Sequence, residues 1–306
     1  MVKINEAYQE YLHYLSLKFK ITTVKFIDYK FKNYILPYFK NKQINKITLQ
    51  EYVKFLKEIN NLNYSNTFTS QIHSIMRGFF NYLKIKYSIK NIPEIIGEIK
   101  NTKFENKAIL KTWTKQDFKK FIKHSDNKIY HALFNALFYT GIRKGEALAL
   151  KINDLQNSYL TINKTITKEL FNGKRLILPP KSKTSIRKIK IDPFLNYELK
   201  KLIKYYKKNY DDFNNDFFLF GGNKPISTTT LDRKKNEYCR KANIQQIRIH
   251  DFRHSHATIL YEKNIKIKAI QQRLGHADIS TTLNTYVHLN KKEEKRLIKA
   301  INLTHL

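Results

Sequence analysis

Ile129-Tyr-His-Ala-Leu-Phe-Asn-Ala-Leu-Phe-Tyr139-Thr-Gly141-Ile-Arg143-Lys-Gly-Glu146-Ala-Leu-Ala-Leu150 is the most informative run of this 306-residue chain. From Ile129 to Tyr139 it is mostly apolar and reads as a helix, closed by Gly141 because glycine accepts the left-handed conformation that ends helices. Arg143 and Glu146 follow, three residues apart and so on one helical face, where the carboxylate can orient the guanidinium. Alone, that pair would equally well be a surface salt bridge. It gains weight from three stretches further along: Pro180-Lys181-Ser-Lys183, His250-Asp-Phe-Arg253-His, and Leu274-Gly-His276 with Tyr286 ten residues later.

Upstream of this run, residues 1–95 read as a helical domain. Tyr8, Tyr11, Leu12, Leu15 and Phe19 repeat at the spacing of one helix face, as do Val24, Ile27, Phe31, Tyr34 and Ile35, with Pro37 as the next boundary. Thr48 with Glu51 predicts a capping box ahead of Tyr52, Phe55, Leu56 and Ile59. A fourth helix carries Ile72, Ile75, Met76, Phe79, Phe80 and Leu83, and four helices with short connections suggest a small bundle. Periodicity is lost from Asn91 to Lys107, which contains Pro93 and Gly97, and the linker is placed at 96–110. Thr114, with Asp117 three residues on, opens the second region, 111–306. Within it Leu160, Ile162 and Ile166, then Leu176 and Leu178, then Ile189 and Ile191 alternate as strands do, with Asn172-Gly173 as a turn. Helical patterns return from Phe194. The fold class is therefore mainly α with a small antiparallel β-sheet, in an amino-terminal helical domain and a larger mixed α/β domain.

Composition narrows the function. Lys and Arg number 58 against 25 Asp and Glu, a formal net charge of +33. Such a surplus fits a polyanionic partner, because each cation that contacts a phosphate releases condensed counterions. Part of it also fits a bias toward residues with A/T-rich codons, since Lys, Asn, Ile and Tyr are all abundant. The basic residues spread along the whole chain instead of forming one amphipathic helix, which argues against a membrane surface. No apolar run reaches the length of a membrane span, and Met1 to Glu10 lacks the apolar core of a secretory signal. A single cysteine, Cys239, excludes an internal disulfide and thiolate-rich metal sites, and fits a reducing, cytoplasmic setting.

In order, spacing and flanking residues, the four stretches resemble the tyrosine recombinase (phage integrase) family from about Thr114 to His288. The flanks include Gly-Glu-Ala-Leu-Ala-Leu after Arg143 and Thr282-Leu-Asn-Thr before Tyr286. The resemblance implies an enzyme of site-specific DNA recombination that works without metal or other cofactor. Arg143 and Arg253 would bind the phosphate oxygens, a task that suits a planar, permanently charged fork. Tyr286 would be the nucleophile, forming a 3′-phosphotyrosyl link that conserves the bond energy. His250 would transfer a proton, His276 would donate a hydrogen bond to the phosphate, and Glu146 would support Arg143. The lysine that protonates the 5′-oxygen sits in the family on a turn between two strands. The Pro-Lys register with its following Arg187 and Ile selects Lys181, with Lys183, two residues on, as the alternative general acid. His250, His254 and His256 could be grouped as metal ligands, but the helix lacks a His-Glu-x-x-His pattern and two arginines would oppose a cation.

The implied partners are double-stranded DNA recombination sites and a homotetramer on synapsed DNA, with no membrane; an excision factor or a DNA-bending host protein stays open. The amino-terminal domain resembles the family's SAM-like core-binding domain. Residues ahead of Thr22 already read as one of its helices, so no arm-binding domain is expected before it. Residues 290–306 look like a terminal helix whose apolar stripe of Leu297, Ile298 and Ile301 docks on a neighbouring subunit or on its own domain. Phe252, Ser182 and Asn264 depart from the commonest family residues without removing any chemistry. A resolvase or an invertase of the same family, a type IB-like topoisomerase, and a DNA-binding module without cleavage are the alternative functions.

Overall fold

Thr48 accepts a hydrogen bond from the Glu51 amide at 3.2 Å and starts a helix, as its sequence predicts, but only half of the capping box forms, because the Glu51 carboxylate pairs with Lys42 instead. The computed structural model describes residues 2–62, 64–99, 111–167, 175–180 and 182–275, the side chains of Asn66 and Lys183 excepted. The chain divides into two units, Met1–Ala108 and Ile109–Leu306.

In the first unit, α1 (Ile4–Lys18) buries Ile4, Ala7, Tyr8, Tyr11 and Leu15, one face at helical spacing. Next, α2 (Ile21–Lys30) does not stop before Pro37. It widens into a π-turn over Phe31–Ile35 and continues as α3 (Leu36–Phe39), with Pro37 in the first turn of α3, where a missing N–H costs least. α4 (Leu49–Asn61) buries Tyr52, Phe55, Leu56 and Ile59, and α5 (Asn66–Tyr87) packs against α1 and α4. Phe31 is the hub of the core, 4.6 Å from the Tyr8 ring and 5.1 Å from that of Phe79. The stretch read as aperiodic from Asn91 contains a further helix, α6 (Ile92–Ile96), capped by Asn91 and held on α4 and α5 by buried Ile92 and Pro93. One turn is too short to show a periodicity.

In the second unit, α7 (Lys115–Ile122) begins with the full Thr114–Asp117 capping box. α8 (Lys128–Thr140) is buried continuously from Ala132 to Phe138, ends on left-handed Gly141, and packs against α7 and the three helices named next. These are α9 (Lys144–Ala149), α10 (Pro193–Asn209) and α12 (Asp251–Glu262), and α11 (Thr228–Lys241) and α13 (Ile267–Leu274) are the other helices among the described residues of this unit. Among the described residues the β-structure forms two small antiparallel sheets. In the first, β1 (Leu155–Gln156), β2 (Tyr159–Ile162) and β5 (Arg187–Lys190) lie in the order β1-β2-β5, with Leu160 opposite Ile189. In the second, β3 (Thr165–Ile166) pairs with β4 (Ile177–Leu178). The hairpin between β1 and β2 turns on Asn157 and Ser158, both at positive φ. β1 is two residues long and leaves no alternation to read. The Asn172-Gly173 turn lies outside the described residues.

Candidate active site

Arg143 precedes α9 as its capping residue, and Glu146 sits at the third position of that helix. The Arg143 amide donates to Glu146 Oε2 at 2.9 Å and its guanidinium to Oε1 at 2.9 Å. The expectation that Glu146 orients Arg143 thus has a geometry: both contacts converge on a carboxylate only 2% exposed. A second guanidinium completes the cluster. Arg187, on β5, donates to both Glu146 oxygens, at 3.3 and 2.9 Å. Burial pushes the Glu146 pKa up, but Arg187 and then Arg143 outweigh it and hold the carboxyl below its ordinary range. Glu146 is ionised, with one cation on each side.

The end of α13 gathers three of the four motif stretches and the strand that follows the remaining one. A helix leaves its last carbonyls unpaired and carries partial negative charge there. In α13 three arginines take up three successive carbonyls. Arg187 Nε donates to Arg273 O at 2.8 Å, an Arg253 guanidinium nitrogen to Leu274 O at 2.8 Å, and an Arg143 guanidinium nitrogen to Gly275 O at 3.2 Å. Arg253 also donates to Gly141 O at 2.9 Å, so the closing turn of α8 and the closing turn of α13 share one guanidinium. Gly141 and Gly275 are both left-handed, with φ of 66° and 69°, and a Cβ at Gly141 would lie 2.7 Å from Leu274 and 2.8 Å from His256. Arg253 is 2% exposed, whereas the Arg143 side chain keeps 35% of its surface. Arg143 therefore offers a guanidinium edge to an incoming anion.

The histidines separate into two environments. His250 is exposed at the start of α12, its ring 4.9 Å from that of His254. Its pKa is pushed down to about 4, first by desolvation, then by His254, Arg253 and Arg143 against the opposing pull of Asp251. It is neutral at neutral pH and able to accept a proton. His256 is buried and turned elsewhere: Nδ1 donates to Phe138 O at 2.9 Å and Nε2 accepts from Arg273 Nε at 3.1 Å. Burial and Arg273 bring its pKa down to about 3. With both ring nitrogens occupied, His256 does not converge with His250 and His254.

Of the residues read from sequence, Arg143, Glu146, His250 and Arg253 come together here. Lys181, His276 and Tyr286 lie outside the described residues, as does the 290–306 tail, and Lys183 is described in its backbone alone. That backbone changes the reading of the lysines. Lys183–Ser185 is a 3-10 turn, with Ser182 Oγ bonded to Thr184 at 2.9 Å and to Ser185 at 3.0 Å, so the strand alternation that put Lys183 on the side of Lys181 does not apply. The strands on either side, β4 and β5, also belong to different small sheets. Sequence reasoning passed over Arg187 as a site residue. Its signal, an arginine following the Pro-Lys stretch, was visible, but its partners on α9 and α13 were not.

Residues 111–293, more than half of the chain, match the phage integrase family. The chain belongs to the phage integrase family. It is accordingly a tyrosine-type site-specific DNA recombinase, and residues 3–60 match the N-terminal SAM-like domain of phage integrases. The ICEBs1 integrase of Bacillus subtilis strain 168 is 29% identical over 280 residues, covering 88% of this chain and 74% of that protein. The integrase of Staphylococcus phage L54a is 27% identical over 311 residues, covering 93% and 88%. Among solved structures, the Tn1549 transposon integrase in complex with a circular intermediate DNA superposes with a TM-score of 0.74 over 97% of this chain and all of that one, at 17% identity. A lambda integrase dimer bound to a core site gives 0.67 over 92% and 95%, at 18% identity. At such identities the two structures speak for the fold, and this family member shares it across both of its units.

Proposed function

We propose that this integrase joins and releases a mobile element by cutting each DNA strand through a 3′-phosphotyrosyl link on Tyr286 and exchanging strands through a Holliday junction. The observation that carries the reading is the cluster of Arg143 and Arg253 on the carbonyls of Leu274 and Gly275, the two residues immediately before His276. Arg143 and Arg253 neutralise the non-bridging oxygens, and His276 adds a hydrogen bond to them. The Tyr286 oxygen attacks phosphorus while its proton passes to neutral His250. The bond to the 5′-oxygen breaks, and that oxygen leaves with a proton from Lys181, Lys183 being the alternative. Reversal with a partner strand reseals the DNA, so the bond count is unchanged and no nucleotide or metal is consumed. The domain at 1–95 and the catalytic domain at 111–306 both bind the DNA, and four subunits hold two synapsed sites in the cytoplasm. An excision factor or a DNA-bending host protein would set the direction of the reaction.

The test is a nicked attachment site incubated with the full chain in EDTA, followed by a denaturing gel. A protein–DNA adduct in chelator is expected, because the two guanidinium groups and His276 take the place of cations at the phosphate. Loss of the adduct in EDTA and its return with Mg²⁺ would contradict the reading.

A further inference from the structure

Arg187 makes more contacts to the motif-bearing elements than any single purpose of β5 requires. Its side chain is 7% exposed, and its Nε and both terminal nitrogens already donate to protein oxygens. One guanidinium reaches three places: both oxygens of Glu146 on α9, Arg273 O at the end of α13, and Ser185 O at 2.9 Å in the Lys183–Ser185 turn. Gly275 is fitted to it, since a Cβ there would meet the Arg187 guanidinium nitrogen at 3.1 Å and Thr184 O at 3.1 Å.

We propose that Arg187 is a positioning residue for catalysis, which aims Arg143 through Glu146 while fixing the backbone that leads into His276 and the turn that follows the general acid. The assignment rests on the recombinase reading above. A planar fork suits the task, because its donors lie in fixed directions and address three acceptors at once, which an ammonium group cannot do. Among the described residues the charged groups facing Glu146 are Arg143, ahead of its own helix, and Arg187, from β5. Removing Arg187 leaves the buried carboxylate with one cation. Burial then gains on charge pairing, the carboxyl takes up a proton at higher pH, and a protonated Glu146 no longer holds Arg143 with two charge-assisted bonds.

The experiment measures single-turnover adduct formation on a nicked attachment site across pH, together with site binding and thermal melting, for the wild type, Arg187→Met, Arg187→Lys and the double variant Arg187→Met/Glu146→Gln. Arg187→Met should bind the site and still melt cooperatively, yet form adduct about 10²-fold more slowly, the order expected when a reacting group is misplaced by about an ångström. It should also gain an acidic limb in its pH–rate profile, at higher pH than the one that protonation of His250 gives the wild type. The limb should vanish in the double variant, where glutamine cannot titrate, and in Arg187→Lys, where a cation still faces Glu146. Wild-type kinetics in Arg187→Met, or a loss equal at every pH that tracks the fall in melting temperature, would overturn the assignment. Absence of any wild-type adduct would instead bring down the recombinase reading on which it rests.

Discussion

His256 carries a measurable consequence of how this site is built. It lies on α12 six residues beyond His250, at a place where α8, α12 and α13 meet, and its neutral ring is locked between Phe138 O and Arg273. The unfolded chain takes up the proton near 6.5, whereas the folded chain does so only near 3. Below the unfolded value the unfolded state therefore binds more protons, so the His256 contribution to stability is level above that value and falls as the pH drops toward 3. Between about pH 7 and about pH 5 that loss amounts to about 2 kcal/mol. Denaturant titrations of the wild type and of His256→Gln should show the steeper acid dependence in the wild type, and equal slopes would contradict the lock. In the sequence, three histidines within seven residues of one stretch look alike. What separates His256 from its neighbours is a carbonyl on α8 and a guanidinium on α13, and neither is near it in sequence.

Among the elements, the turn between β4 and β5 is where sequence and structure differ most usefully. Period-two alternation reached Ile189 and Ile191 correctly, because β5 has one face on the core, but it fails at Lys183, where Ser182, Thr184 and Ser185 hydroxyls close a 3-10 turn. Pro37 and the Ile92–Ile96 turn were misread for similar local reasons: a π-turn absorbs the proline, and a single helical turn carries no period. The long faces of α1, α4, α5 and α8 were legible because three or more turns repeat the same pattern. The general acid can be assigned chemically. Sulfur in place of the bridging 5′-oxygen departs without a proton, so loss of the true acid should slow the ordinary substrate greatly and the sulfur-bridged one little. Lys181→Ala is expected to be rescued in this way, and Lys183→Ala to show a mild defect on both substrates. Rescue of Lys183→Ala alone would move the acid by two residues.

At the scale of the whole molecule, the charge of +33 has its counterpart in the DNA that a tyrosine-type recombinase must hold. Log affinity should fall linearly with log salt, and six or more phosphate contacts would lower affinity about 10³-fold or more between about 50 and 200 mM salt. A flat response would mean that the lysines lie on surfaces that never meet phosphate. Two domains, a mainly helical class and four motif stretches could be read from the chain because they are local in sequence. The convergence of Arg143, Arg187 and Arg253 on the end of α13 could not, since the groups involved are separated by 21 to 132 residues. The proposed nucleophile, Tyr286, lies ten residues beyond His276 in the sequence, and the most direct test is to trap the covalent complex on a nicked attachment site and map the attached residue. The account predicts a peptide linked through Tyr286, with Tyr286→Phe binding the site as tightly as the wild type and forming no adduct. An adduct retained by Tyr286→Phe, or mapped to Tyr261 or another tyrosine, would contradict it.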